Sequence, residues 1–277
     1  MDLIAVETVL RPRSRSELPA WQAGDACLAG GTWLFSEPQP GTRRLVDLAG
    51  LGWPPSALGP EGLMLAATCT IAQLDRLDLP PSWVAAPLVR QCCRALLGSF
   101  KIWNTATVGG NLCLALPAGP MIALATALEA SCAIWSADGA ERSLSATDFV
   151  LDPGRNALRP GEILRSLSIP AAALTRRTAF RRISLSPNGR SGALLIGTRD
   201  AWGGFALTVT ASVRRPLRLI FDALPDRAAL MQVLDEAIPE TLYHDDVHGR
   251  PDWRRHVTRH LAEEIREALS GEAGRCS

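Results

Sequence analysis

The sequence predicts an α+β fold divided into three segments, and three observations predict it. A proline-rich stretch, residues 53–62, separates the first segment from the second. Strand-like and helix-like runs are mixed as far as residue 170. Beyond that point several strand-like runs come first and two helices close the chain, which is typical of a separate α+β unit. Because the chain has 277 residues, of which 47% are hydrophobic, it can bury more than one core.

In the first segment, short apolar runs predict strands on either side of a glycine pair. Residues 3–6 and 44–48 are such runs. Between them, apolar residues lead directly into Gly30 and Gly31 of the sequence LAGGTW, residues 28–33. A double glycine at the end of an apolar run is most often a tight turn.

The first helices of the second segment are predicted from capping residues and apolar spacing. Thr70 is placed to cap a short helix, and Ser82 is placed to cap a longer one over residues 82–97. Apolar residues of the longer helix recur at i, i+4. The adjacent Cys92 and Cys93 are therefore predicted to be small core residues without redox chemistry.

The rest of the second segment contains a glycine-rich run between regular elements. Residues 99–119 read as irregular, and Pro120 then suits the first turn of a buried helix. Asp138 and Gly139 predict the turn of a hairpin. Residues 163–170 alternate in polarity and predict a strand.

The third segment predicts an antiparallel sheet followed by helices. Gly203 and Gly204 are placed to join two strands as a hairpin, and Asp226 and Asp252 are placed to cap the two helices. The strand-like runs are residues 179–184, 192–201, 205–213 and 216–224.

Composition and charge exclude several classes of function. The net charge is +1 and no basic cluster is interleaved with aromatic residues, so we expect no nucleic-acid partner. We find neither a signal peptide nor an apolar run long enough for a membrane span, and we expect a soluble cytoplasmic protein. The seven cysteines, Cys276 among them, show no CxxC spacing and are expected to be reduced. His256 and His260 are spaced as a zinc pair would be, but without a third ligand they predict a solvated helix face and no metal site.

Two glycine pairs are the candidate ligand-binding loops. They are the first loop, Ala29–Trp33, and the second loop, Thr107–Asn111. Adjacent glycines allow positive φ angles and bring backbone N–H groups close to a ligand, an arrangement that suits a pyrophosphate. Neither loop has the GxGxxG or GxxxxGK[ST] spacing, so spacing alone does not identify the ligand.

A series of motifs in the same order resembles the FAD-binding subunit of molybdenum hydroxylases. That family includes the medium subunits of carbon monoxide dehydrogenase and the FAD-binding parts of xanthine dehydrogenase. The matching motifs are LAGGTW (28–33), LVDLAGL (45–51), LMLAATCTIAQL (63–74), KIWNTATVGGNLCLALPAG (101–119), LEASCAIWSADGAER (128–142), SATDFV (145–150) and LRPGEILRSLSIP (158–170).

The resemblance implies two α/β FAD-binding subdomains and a smaller C-terminal α+β domain. The implied boundaries are 1–53, 54–172 and 173–277. It implies that FAD is held by both loops, with the first approaching the pyrophosphate and the second closing over it near the isoalloxazine. The residues assigned to FAD in this way are Ala29, Gly30, Gly31, Thr32, Trp33, Thr107, Val108, Gly109, Gly110 and Asn111. No catalytic acid or base is assigned, because a flavin carries out the electron chemistry itself.

The resemblance also implies an electron-transfer role within a larger enzyme. The partners would be a molybdenum-cofactor large subunit and a [2Fe-2S] small subunit, in a heterotrimer or a dimer of heterotrimers. Nothing in the chain names the substrate or the terminal acceptor.

The chain departs from the family pattern at Trp33, Trp103, Leu116 and Pro120. Two alternatives therefore stay open at this point. One is a structural or assembly subunit that keeps the fold without flavin, and the other is a stand-alone flavin or nucleotide-binding oxidoreductase.

Overall fold

The computed structural model describes residues 3–136 and 138–271. The predicted α+β fold class is confirmed: the described residues form sheets of three, five, four and two strands together with nine α-helices. Each of the three larger sheets lies within one predicted segment, while the segment boundaries themselves stay a prediction. Cys276 lies outside the described residues.

The elements are numbered in chain order. The strands are β1 (Thr8–Leu10), β2 (Asp25–Leu28), β3 (Arg44–Asp47), β4 (Ser56–Gly59), β5 (Gly62–Ala66), β6 (Ser131–Trp135), β7 (Glu141–Ser145), β8 (Val150–Asp152), β9 (Arg155–Asn156), β10 (Ile163–Pro170), β11 (Arg177–Ile183), β12 (Ala193–Arg199), β13 (Phe205–Thr210) and β14 (Leu217–Phe221). The helices are α1 (Ile71–Asp75), α2 (Ala86–Ala95), α3 (Phe100–Trp103), α4 (Val108–Leu114), α5 (Pro120–Ala127), α6 (Ala146–Phe149), α7 (Ala171–Leu174), α8 (Arg227–Ala237) and α9 (Pro251–Ser270).

The first sheet is parallel, with β3 between β1 and β2. The strand predicted over residues 3–6 is wrong. The N–H of Val6 donates to the carbonyl of Leu3 at 3.0 Å to close a turn, and pairing with β3 begins only at Thr8. Buried Val46 and Leu48 of this segment pack against Ile163 of β10, which joins the first sheet to the second.

The second sheet is antiparallel, in the order β4-β5-β10-β6-β7. Helices α1, α2, α4 and α5 pack on it in the largest core, and α5 is buried along its whole length. Thr70 caps α1 in a capping box with Gln73, and Pro120 occupies the first turn of α5, as predicted. Cys92 and Cys93 lie in the core, also as predicted.

Two predictions in this segment are wrong. The helix predicted from Ser82 begins at Ala86, because a longer helix would place Pro87 in its interior, where proline cannot donate to the preceding turn. The run 99–119, predicted to be irregular, contains α3 and α4. The cap that starts α4 is Thr107, whose hydroxyl accepts from the N–H of Gly110 at 3.0 Å.

The third sheet is an antiparallel meander of β11, β12, β13 and β14, covered by α8 and α9. Asp226 caps α8, as predicted, by accepting from the N–H of Ala229 at 2.8 Å. The cap predicted at Asp252 is wrong, because α9 begins one residue earlier, at Pro251, with Arg250 in the capping position. His256 and His260 lie on the exposed face of α9.

Candidate functional site

One cavity of about 1140 Å³ brings residues from all three segments together. Ligand pockets typically measure roughly 300–1,000 Å³, so this one is large enough for an extended ligand. Nine of the ten predicted site residues line it: Ala29, Gly30, Gly31, Thr32, Trp33, Thr107, Gly109, Gly110 and Asn111. The tenth, Val108, is 2% exposed, and its side chain packs in the core.

The first loop begins directly where the parallel strand β2 ends. In open parallel sheets this edge is where ligands bind. Gly31 has a φ of +69°, in the left-handed region that favours glycine. The N–H groups of Gly30, Gly31 and Thr32 donate to no residue in the described part of the chain. The first loop therefore presents backbone donors to the cavity.

The second loop uses its backbone donors inside the protein. The N–H groups of Val108 and Gly109 donate to the carbonyls of Cys69 and Ala67 at 2.8 and 2.9 Å, and that of Gly110 donates to Thr107. What this loop offers a ligand is the open surface of Gly110 and the side chain of Asn111.

Asn111 is held with its amide nitrogen available. Its Oδ1 accepts from the N–H of Met121 at 3.0 Å, and its Nδ2 makes no hydrogen bond within residues 3–136 and 138–271. A side-chain amide nitrogen carries two N–H donors. Asn111 can therefore donate to an acceptor in the cavity while its oxygen stays bound to α5.

Residues of the third segment form a further wall of the cavity, and the sequence analysis did not assign them to the site. They are Arg190, Ser191, Ala211, His244, Asp246, His248 and Arg254. Their convergence depends on how the third sheet packs against α5, which a local pattern does not encode.

Arg254 fixes this wall. Its buried guanidinium donates to the carbonyls of Gly249, Gly192 and Ala211 at 2.9, 2.5 and 2.5 Å, and it also binds the carboxylate of Asp246. These bonds leave Arg254 engaged with the protein.

His244 lies beside this pair, with its Nε2 at 3.3 Å from Oδ2 of Asp246. Burial, the largest effect, lowers the pKa of His244 below its usual value, so the imidazole is neutral at physiological pH.

The departures from the family pattern differ in position. Trp33, Leu116 and Pro120 line the cavity, but Trp103 does not. The indole N–H of Trp103 donates to the carbonyl of Leu96 at 3.0 Å, so this residue has a structural role. Among these four positions, only Trp33 places an aromatic ring at the cavity.

Two thiols also line the cavity, Cys27 and Cys113. Burial raises the pKa of Cys27 to about 12 and raises that of Cys113 well above its usual range. Both stay protonated near neutral pH and are poor nucleophiles.

The described residues, 3–136 and 138–271, lack two further kinds of feature. These residues contain no cluster of three or more metal-ligating side chains, and none of their helices combines the length and apolar character that a bilayer crossing requires.

Comparison with known proteins identifies related chains. Residues 6–172 match the family model described as "FAD binding domain in molybdopterin dehydrogenase". The chain is similar to the caffeine dehydrogenase subunit beta of Pseudomonas sp. (strain CBB1), with 32% identity over 43% of this chain and 42% of that one. It is also similar to the nicotinate dehydrogenase FAD-subunit of Eubacterium barkeri, with 32% identity over 42% of this chain and 43% of that one. The matches thus span less than half the length of these relatives.

Solved structures extend the likeness of fold to nearly the whole chain. Reconstituted CO dehydrogenase from Oligotropha carboxidovorans contains a chain with a TM-score of 0.79 and 23% identity, covering 96% of this chain and 98% of that one. Quinoline 2-oxidoreductase from Pseudomonas putida 86 contains one with a TM-score of 0.76 and 21% identity, covering 97% of this chain and 98% of that one.

Proposed function

Because the chain belongs to the family of FAD-binding domains of molybdopterin dehydrogenases, we propose that it is the electron-transfer subunit of a multi-subunit molybdenum hydroxylase. FAD is the cofactor of this family. The observation that carries the proposal is that both glycine loops line one large cavity and that the backbone donors of the first loop have no acceptor among the described residues.

The residues present fit FAD. A diphosphate requires several N–H donors close together, and the first loop has three in sequence that donate to none of the described residues. Apolar residues of the second segment, among them Ala106 and Leu164, supply the walls that flat aromatic rings require.

Each part of the site has a separate task in this proposal. Gly30, Gly31 and Thr32 would hold the diphosphate, and the Asn111 amide would donate to a further acceptor of the cofactor. The wall fixed by Arg254 would restrict access of water to the cavity. When bound, FAD accepts electrons and passes them on, so the chain needs no catalytic acid or base of its own.

The partners are part of the proposal. The relatives are, by their names, a subunit beta and an FAD-subunit of dehydrogenases. We infer that this chain also works as one subunit, in the cytoplasm, beside a molybdenum-cofactor large subunit and a [2Fe-2S] small subunit, in a heterotrimer or a dimer of heterotrimers. Electrons would pass from the iron–sulfur clusters to the flavin and from there to a terminal acceptor.

A flavin-free scaffold is the competing interpretation, and the position of Trp103 weakens its basis. That residue is one of the departures from the family pattern on which the scaffold interpretation depends, and it lies outside the cavity. Trp33 lines the cavity, and the N–H groups of Gly30, Gly31 and Thr32 still donate to none of the described residues.

The test is to tag the chain in its native host, purify it gently, identify the bound chains and record the visible spectrum. A flavin band together with iron–sulfur absorption and two further subunits is the expected result. A colourless complex with the same partners would establish the scaffold instead, and a lone, active monomer would contradict the subunit role.

A matched pair of variants then tests the loops. Gly110→Asp places a negative charge at the open surface of the second loop and should abolish flavin content. Gly110→Asn has similar size without the charge and should retain more of it. Equal, wild-type flavin content in both folded variants would place the cofactor elsewhere.

A further inference from the structure

We propose that Arg190 supplies the cation that pairs with the diphosphate of FAD, and that Trp33 positions it there. This inference rests on the proposed function. It adds a binding residue from the third segment that neither glycine loop contains, and it gives a role to the residue that departs from the family pattern in the first loop.

Arg190 is a cation that has no anionic partner among the described residues. It lines the cavity from the loop between β11 and β12, and it forms no hydrogen bond or salt bridge with any residue of the described ranges. Its guanidinium carbon lies 5.7 Å from the ring centroid of Trp33. That distance is within the range of a cation–π interaction.

The other charged groups of the cavity are mostly paired already. Arg254 binds Asp246, and Glu162 binds Arg142. Glu37, also at the cavity, is exposed and not within salt-bridge distance of Arg190. Arg190 is therefore the cavity cation in the described part of the chain whose charge is not balanced by a carboxylate.

The position of Trp33 indicates which ligand group Arg190 meets. Trp33 directly follows Gly30, Gly31 and Thr32, whose N–H groups have no acceptor among the described residues. The guanidinium at the Trp33 ring therefore lines the same cavity as the donors that are proposed to receive the diphosphate. Its planar fork of N–H groups matches two phosphate oxygens, which an ammonium group does not.

The contact with Trp33 also explains how an exposed side chain is kept in place. Arg190 lies on a loop of the third segment, whereas Trp33 belongs to the first. An arginine loses much rotamer freedom when it is ordered, and the aromatic face limits that loss before the ligand arrives. The pair thus connects the first and third segments at the cavity.

The test measures FAD affinity of the full chain after flavin removal, by quenching of flavin fluorescence. Arg190→Gln should raise the Kd for FAD roughly tenfold or more, as expected for loss of a charge-assisted contact. Arg190→Lys keeps the charge and should lose less. Arg215→Gln is the matched control, because Arg215 is an exposed residue of the same segment that does not line the cavity.

Riboflavin and salt separate a phosphate contact from a structural one. Riboflavin has no phosphate, so Arg190→Gln should leave its affinity unchanged. The affinity of the wild-type chain for FAD should fall as ionic strength rises, and this dependence should be weaker in Arg190→Gln. Trp33→Ala should lower FAD affinity, and Trp33→Phe, which keeps a ring face, should restore most of it.

The outcomes distinguish this inference from the proposed function. If the wild-type chain binds FAD and Arg190→Gln binds it equally well, the role of Arg190 is wrong and the proposed function stands. If Arg190→Gln weakens riboflavin and FAD alike, Arg190 shapes the cavity without contacting phosphate. If the wild-type chain binds no FAD at all, both proposals fail.

Discussion

Gly30 and Thr105 are in direct backbone contact: a Cβ atom at Gly30 would lie 1.9 Å from the carbonyl oxygen of Thr105 and 2.7 Å from its carbonyl carbon. The contact joins the first loop to the segment just before α4. A second close approach, between Gly109 and Ala67, joins α4 to the end of β5, because a Cβ at Gly109 would lie 2.4 Å from that of Ala67. Neither position has room for a Cβ, and the contact of Gly30 with Thr105 sets how closely the first loop approaches the segment before α4.

Gly30→Ala should therefore separate the loops. The atoms it meets belong to the backbone and cannot move aside cheaply, so we expect a loss of about 1–3 kcal/mol in the free energy of unfolding. FAD affinity should fall with it. Urea unfolding and flavin titration measure the two effects. Gly41→Ala is the matched control, because a Cβ there meets nothing within 4 Å. A Gly30→Ala protein as stable as Gly41→Ala would contradict the contact.

Thr107→Ala should shorten or loosen α4. Thr107 is 5% exposed, and its hydroxyl is the acceptor for the N–H of Gly110 at the start of that helix. Loss of such a cap typically costs about 0.5–2 kcal/mol. Thr107→Ser keeps the acceptor and should recover most of the loss. Chemical denaturation of the two variants checks this, and equal losses in both would assign the effect to the methyl group.

The sequence patterns correctly predicted helix starts that depend on side chains close in sequence. Thr70 and Asp226 cap helices because their side chains reach N–H groups three residues ahead. The predicted helix starts were wrong where a proline decided the first residue of the helix. Pro87 excludes the start at Ser82, and Pro251 begins α9 before Asp252. In the glycine-rich run, Gly109 and Gly110 suggested an irregular loop, whereas Thr107 caps a helix that contains both glycines.

The residues of the candidate site also fall into two groups, those that sequence motifs predicted and those that they did not. Both glycine loops were predicted because each is continuous in sequence and matches a family motif. Arg190, His244 and Arg254 were not, because they reach the cavity only through packing of the third sheet on the second segment. The availability of backbone donors also depends on long-range pairing. In the second loop, the N–H groups of Val108 and Gly109 already donate to the carbonyls of Cys69 and Ala67.

Arg254→Lys should strongly lower the free energy of unfolding, although the substitution keeps the positive charge. A lysine ammonium lacks the planar set of N–H donors of a guanidinium. It therefore cannot donate to the carbonyls of Gly192, Gly249 and Ala211 and also bind Asp246. Each buried acceptor left without a donor typically costs about 1–3 kcal/mol. Arg250→Lys, at an exposed position of the same helix start, should change stability by less than about 0.5 kcal/mol. Thermal unfolding compares them, and similar melting temperatures would show that the buried bonds contribute little.

Glu162 should make stability depend on pH in the acid range. Its side chain is 4% exposed and accepts from Nε and Nη2 of Arg142 at 2.7 and 2.6 Å and from the N–H of Arg159 at 2.7 Å. The hydrogen bond with Arg142, the largest effect, lowers the pKa of Glu162 to about 2 from its ordinary 4.5. A lowered pKa means that the unfolded chain binds the proton more readily than the folded one. The stabilisation is therefore complete above about pH 4.5 and is lost as the pH falls towards 2.

Urea unfolding from pH 7 down to pH 3 measures this dependence, with Glu162→Gln as the test variant. Glutamine cannot ionise, so this variant should be less stable at pH 7, and its stability should fall less steeply between pH 4.5 and pH 3. Glu267→Gln, on the exposed face of α9, is the matched control and should follow the wild-type profile. Because Glu162 also lines the cavity, flavin release in acid should occur over the same range if the Arg142–Glu162 pair holds that wall. If the stability of the wild type and of Glu162→Gln depends on pH in the same way, the pKa of Glu162 does not differ between the folded and unfolded chains, and the prediction is wrong.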